Sequence, residues 1–177
     1  MPDLLISPAR LADAADIVRI YNVSVLQTVA TFQTRADTVE RRRAWLRAHV
    51  GAHPAFVARL AGRVVGWCSL SAYARNEAWS HTVEDSVYLD AAAQGRGFGK
   101  RMLRHLLGEA ASLGHRIVLA RIEAGHAASI GLHARLGFVE TGRLLRVGWK
   151  FGRWHDVAYM QHDLMEGRDL PPRDRMR

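Results

Sequence analysis

Seven consecutive residues, Gln94-Gly95-Arg96-Gly97-Phe98-Gly99-Lys100, have the types and spacing to hold an anion. Glycine at alternate positions lets the backbone turn tightly and approach a ligand closely. The run follows a strand-like segment, 83–89, and opens a helix-like one, 100–111. A helix start behind such a turn presents unpaired N–H groups, a setting that suits phosphate. Two nucleotide motifs fail here on particular residues. A dinucleotide fingerprint needs G-x-G-x-x-G, and the third glycine arrives one residue early. A P-loop needs G-x-x-x-x-G-K-[ST], but Gln94 stands where its first glycine belongs and Arg101 where Ser or Thr would be. A glycine-rich turn that binds nothing is the plain alternative. The single cysteine, Cys68, lies in an apolar run and reads as a buried, inert thiol rather than a nucleophile. One cysteine also excludes an internal disulfide framework and fits a reducing cytoplasm.

The elements that must position this loop can be read from periodicity. A short strand at 4–6 precedes a helix over 14–26, with Asp13 as its N-cap and Ile17 and Tyr21 as anchors. Thr38 caps a second helix, to about 49, whose Arg41-Arg42-Arg43 reads as a solvated face. Segments 56–60 and 63–70 flank Ala61-Gly62 as a hairpin. In the strand at 83–89, Glu84, Ser86 and Tyr88 share one face and Val83, Asp85, Val87 and Leu89 the other. Leu103, Leu106, Leu107 and Ala110 form the apolar stripe of the next helix, with Lys100, Arg101, Arg104 and Glu109 outward. Segment 117–122 reads as a buried parallel strand without alternation, which completes a βαβ unit around the glycine loop. A helix over 127–136 is closed by Gly137. Segments 139–147 and 157–164 read as a closing hairpin around 149–154.

Length and composition bound the rest. A chain of 177 residues, 49% of them apolar, can build one domain with a substantial core. The reading is a single domain over 1–164 and a charged tail over 165–177, expected to be mobile. No apolar run reaches the ~18 residues of a membrane span, and Met1-Pro2-Asp3 does not resemble a secretory start. The 25 basic residues outnumber the 17 acidic ones, for a net charge of +8. That charge is scattered rather than striped, so a phosphate-bearing cofactor is favoured over nucleic acid as partner.

Three further stretches, taken with the loop, carry a resemblance. They are 82–89 (Thr-Val-Glu-Asp-Ser-Val-Tyr-Leu), 129–138 (Ser-Ile-Gly-Leu-His-Ala-Arg-Leu-Gly-Phe) and 150–157 (Lys-Phe-Gly-Arg-Trp-His-Asp-Val). In that order, with Gln94, Gly97 and Gly99 matching Q/R-x-x-G-x-G/A, the chain resembles the GNAT superfamily of N-acetyltransferases over about 4–164. More narrowly it is similar to the phosphinothricin and methionine sulfoximine branch. The resemblance implies an α/β (α+β) fold, with a mixed central sheet, splayed parallel strands and flanking helices. It also implies a homodimer, acetyl-CoA as donor, no metal, and a small primary amine as acceptor. Backbone groups of Val87, Tyr88 and Leu89 would pair with the pantetheine, and N–H groups from Gly95 to Lys100 would hold the pyrophosphate. His126 takes the place of a usual Asn, with Ser129 beside it. Gln33 takes the place of a usual Glu.

The resemblance makes Glu84 the general base and His133 a second proton-handling candidate. A structural histidine between helix and sheet is the plain alternative for His133. An ordinary carboxylate is a far weaker base than an amine, so Glu84 needs a raised pKa, a water chain, or an acceptor bound already neutral. The acceptor is expected among Phe32, Tyr73, Arg75, Asn76, Asp85 and Ser86, with Arg75 fitted to an α-carboxylate. Trp149, Phe151 and Trp154 read as hairpin core or dimer packing. A peptide or protein N-terminal acetyltransferase, and a non-catalytic module binding CoA or nucleic acid, remain open.

Overall fold

A computed structural model describes residues 3–165, and of the expected tail only Met165 falls inside that span. Among the described residues are seven strands and four α-helices. They are β1 (Leu5–Pro8), α1 (Ala14–Gln27), α2 (Val39–Ala48), β2 (Ala55–Leu60), β3 (Arg63–Ala72), β4 (Thr82–Leu89), α3 (Phe98–Ser112), β5 (Ile117–Glu123), α4 (Ala127–Ala134), β6 (Val139–Lys150) and β7 (Arg153–Asp163). The strands form one sheet in the order β1-β2-β3-β4-β5-β7-β6. Only β4 and β5 pair in parallel, and their pairing runs for three residues, Thr82↔Ile117 to Glu84↔Leu119. Beyond Glu84 the two strands part, while the other edge of β5 stays paired to β7 along its whole length.

Two apolar layers sandwich the sheet. On one face Leu70, Val83, Met102, Leu103, Leu106 and Val118 pack under α3 and α4. On the other, Ile17, Ile20, Val25, Leu46, Val57 and Trp67 pack under α1 and α2. Neighbours such as Phe56 and Val57, or Trp67 and Cys68, fall into opposite layers because side chains alternate along a strand. β4 keeps an unbroken register against β3, so the alternation expected around Glu84 stands.

Several local expectations are corrected. Asp13 stands at the N-cap position of α1, as read, but its side chain makes no capping bond: it also ends a 3₁₀ turn, Leu11–Asp13, where its carboxylate accepts from the Arg10 N–H at 2.8 Å and from Arg59. Thr38 does cap α2, accepting from the Arg41 N–H. The triple arginine is not wholly solvated. Arg42 is buried, paired with Asp37 at 2.8 Å and set over the Tyr21, Trp45 and Trp67 rings. α3 begins two residues earlier than read, at Phe98, because Gly97 turns into it at φ 77°. β5 alternates after all, with Val118, Ala120 and Ile122 buried and Arg121 exposed. The closing hairpin turns on Phe151-Gly152 alone, so Trp149 and Trp154 are strand residues. Trp149, Phe151 and Trp154 are each more than half exposed and are not hairpin core.

Candidate active site

Where β4 and β5 part, a cavity of about 620 Å³ opens. Of the residues named as site candidates from sequence, Phe32, Glu84, Asp85, Ser86, Val87, Tyr88, His126, Ser129 and His133 line it, together with Gln33. Its geometry follows from the short parallel pairing. With no strand beside it after Glu84, the β5-facing backbone edge of β4 is open to a ligand.

Leu89 ends β4 and the glycine loop lies just past it; neither lines the cavity itself. Gln94, Gly95, Arg96, Gly97 and Lys100 are exposed. Gln94 reaches back to the Leu89 carbonyl at 3.4 Å. The N–H groups of Phe98, Gly99 and Lys100 form the first turn of α3, where no intrahelical acceptor exists. The side chain of Phe98 is buried core, with the Arg96 guanidinium 4.7 Å from its ring centroid, so Phe98 offers the loop only its backbone. Tyr73, Arg75 and Asn76 stand apart from the cavity, on the exposed link between β3 and β4. Tyr73 packs edge-on to Trp79.

Glu84 faces the cavity, where its carboxylate accepts from Arg121 Nε at 2.7 Å. That bond, helped by Tyr159, raises the pKa of Arg121 against the opposing effect of partial burial. His133 points from α4 to the opposite face of β4. Its Nδ1 meets the Ser129 carbonyl at 2.8 Å and its Nε2 the Asp85 carboxylate at 3.2 Å, with His133 and Asp85 both buried. Burial pulls His133 down, but the Asp85 hydrogen bond and charge and the Ser129 carbonyl outweigh it, and its pKa is raised. His126 caps α4, its Nδ1 accepting from the Ser129 N–H at 3.3 Å. In the neutral ring that acceptor role leaves the proton on Nε2. Burial, then the charge of Asp85, push the Cys68 thiol well above its ordinary range, and the inert reading of that residue fits.

The loop between α1 and α2 that carries Phe32 is held by long-range partners that the sequence did not assign to it. Lys150 is buried, and its Nζ donates to the Thr28 and Thr31 carbonyls at 2.7 Å each and to the Ser24 carbonyl at 3.4 Å. Desolvation lowers its pKa. The Tyr21 hydroxyl bonds Thr31 Oγ1 and Gln33 Oε1 at 3.1 and 3.0 Å. Phe32 packs directly against Gly148, where a Cβ would come within 2.3 Å of its ring. His155 bridges Glu123 and the Lys150 carbonyl, both at 3.0 Å. Lys150 and His155 belong to the 150–157 stretch that carried part of the resemblance. Arg121 had a visible signal, a lone charge between Ala120 and Ile122 in a strand read as apolar and largely without alternation.

A forked mixed sheet with a glycine loop at the fork defines an acyltransferase class of fold, and a model of the acetyltransferase (GNAT) family matches residues 17–138. The chain belongs to that family and is an N-acetyltransferase. It is 40% identical over 159 residues to L-amino acid N-acyltransferase MnaT of Escherichia coli K12, covering 89% of this chain and 92% of that one. The L-methionine sulfoximine/L-methionine sulfone acetyltransferase of Salmonella typhimurium is 40% identical over 156 residues, 88% of this chain and 91% of that one. The phosphinothricin acetyltransferase of Sinorhizobium meliloti, solved with acetyl-CoA, superposes with a TM-score of 0.93 at 36% identity, covering 98% of this chain and 95% of that one. The similarity thus falls in the phosphinothricin and methionine sulfoximine branch.

Proposed function

We propose that this chain moves the acetyl group of acetyl-CoA directly to the primary amine of a small amino-acid-like acceptor, with Glu84 as general base. The observation that carries this is the fork itself. The last parallel pair is Glu84↔Leu119, so the carboxylate stands at the point where the open strand edge begins. Residues on hand for the donor are the backbone of Val87, Tyr88 and Leu89 and the N–H groups of Gly95 to Lys100. Arg96 and Lys100 add positive charge, and His126 and Ser129 face the opening of α4. Acetyl-CoA would supply the activated acyl carbon. Glu84 takes the proton that the acceptor nitrogen sheds as its bond to that carbon forms and the thiolate leaves. His133, held at both ring nitrogens, acts in this reading by fixing Asp85 and α4 against β4. Phe32 and Ser86 border the acceptor, and the substrates of the named relatives point to an amino acid there.

An acceptor panel tests the assignment by following thiol release from acetyl-CoA. Methionine sulfoximine, phosphinothricin or free L-amino acids are expected to support turnover well above short peptides. Peptides turned over best would move the acceptor class, and no thiol release with any amine would sink the reading.

A homodimer completes it. Leu145, Val147, Trp149, Phe151 and Trp154 leave an apolar face on β6 and β7, each at least half exposed. Such a face suits a second copy of the chain. Light scattering is expected to give twice the chain mass, and a monomer at high micromolar concentration removes this part of the proposal.

A further inference from the structure

β6 is an edge strand of the sheet, and it does not run regularly along β7. Leu144 pairs with Val157 and Gly148 with His155, so residues 145–147 stand opposite Asp156 alone. Extra residues in one strand make a bulge, which bends the strand and re-aims its side chains. Positions three apart on a regular strand face opposite ways, because side chains alternate. Yet Leu144 and Val147 both line the cavity, next to Gly148, on which Phe32 packs. Each of the two is about half exposed, so they form the rim of the cavity, where it meets the apolar face of β6 and β7.

The side of the cavity they border is the one that carries Glu84. Val157, opposite Leu144, lines it too, as does Tyr159. Tyr159 pairs with Arg121, whose guanidinium holds the Glu84 carboxylate. Directly opposed residues share a face of a sheet, so Leu144 and Glu84 lie on one face, away from α3 and α4.

The bulge is held from β7. Arg146 within it has φ 52°, a conformation that residues other than glycine adopt uncommonly. The Asp156 carboxylate accepts from the Arg146 N–H at 2.8 Å. The Asp156 carbonyl accepts from the Ala124 N–H at 2.9 Å, in the turn that leads from β5 to His126. Asp156 does not itself line the cavity. One residue thus fastens both the rim at Leu144 and Val147 and the turn after β5. Blunting an exposed sheet edge is another use of a bulge, but that role predicts no effect on acceptor affinity.

We infer that Asp156 is a positioning residue for acceptor binding. It holds the bulge that sets Leu144 and Val147 as an apolar wall, against which the methylenes of the acceptor side chain pack. The inference rests on the amino-acid acceptor proposed above.

The test compares Asp156→Ala with Asp156→Asn, whose amide oxygen can still receive the Arg146 N–H. With L-methionine sulfone as acceptor, Asp156→Ala is expected to raise its KM about tenfold, the scale of one lost hydrogen bond to a charged group. Its kcat at saturation and its KM for acetyl-CoA should hold, and Asp156→Asn should behave as the unaltered chain. Adding Arg146→Gly to Asp156→Ala should recover most of the lost affinity, because glycine takes the positive φ without support. General misfolding would raise both KM values and would not be rescued in this way. Crystal structures give a readout independent of turnover. Residues 145–147 should be rearranged in Asp156→Ala, with Val147 out of the cavity wall, and unchanged in Asp156→Asn. Light scattering should give the variants the mass of the unaltered chain, and a changed mass would place the effect in assembly instead. An intact wall in Asp156→Ala, an unchanged KM for the sulfone, or equal rises in both KM values overturns the role. If the wall rearranges as expected but the unaltered chain releases no thiol with any amine, Asp156 still positions the wall and the acetyl-transfer reading fails.

Discussion

Replacing Glu84 with Gln is expected to lower kcat by about 10²-fold or more, the usual contribution of a positioned acid–base group. The substitution is close to isosteric, and the amide oxygen can still accept from Arg121, so the wall of the cavity keeps its shape. What disappears is the capacity to carry a proton. Loss of the Arg121 pairing cannot account for such a drop. Arg121 is 52% exposed at its side chain and Glu84 19%, and a pair this open to water contributes about 0–1 kcal/mol to stability. Tm should therefore stay nearly constant and KM for acetyl-CoA should change little, while kcat collapses. The limb of the pH profile that belongs to the base should vanish with it. A kcat that matches the unaltered enzyme at every pH would remove Glu84 from the chemistry.

Glu84 was legible because strand periodicity and motif order both survive translation into three dimensions. A residue two positions from its neighbour on a strand shares its face, and β4 contains no register shift to break that rule. The glycine loop was legible for a related reason, since few residue types can make the Gly97 turn into α3. The misreadings share another cause. Asp13 and Arg42 are polar residues with partners far along the chain: Arg59, and the rings of Tyr21 and Trp67. Local patterns assign such residues to caps or solvent, because nothing within a few positions records a long-range partner. β5 was misread for a different reason. Its exposed-face residues Ile117 and Leu119 are apolar, so the alternation was hidden until Arg121 broke it. The link at 73–76 could not be placed from sequence, and the exposed position of Arg75 leaves its role to the acceptor experiments.

Lys150 carries the second large expectation: Lys150→Met should lower stability by about 3 kcal/mol, chiefly through the carbonyls it abandons. Exchanging a buried charged group for an apolar one of similar length is often harmless when its partners are exchanged as well. Here they cannot be, because the partners are main-chain oxygens of Thr28 and Thr31, each 2.7 Å from Nζ. The Ser24 carbonyl is less affected, since it also accepts from the Thr28 N–H and hydroxyl. In a chain of this size that loss corresponds to a fall in Tm of roughly 6–12 °C. The same bonds hold the loop that sets Phe32 on Gly148 and Gln33 in the wall of the cavity. KM for the acceptor should accordingly rise more than KM for acetyl-CoA, whose proposed contacts lie on β4 and α3. A Tm within about 2 °C of the unaltered chain would mean that the abandoned carbonyls find water. A parallel rise in both KM values would mean that Lys150 stabilises the whole fold rather than the acceptor loop.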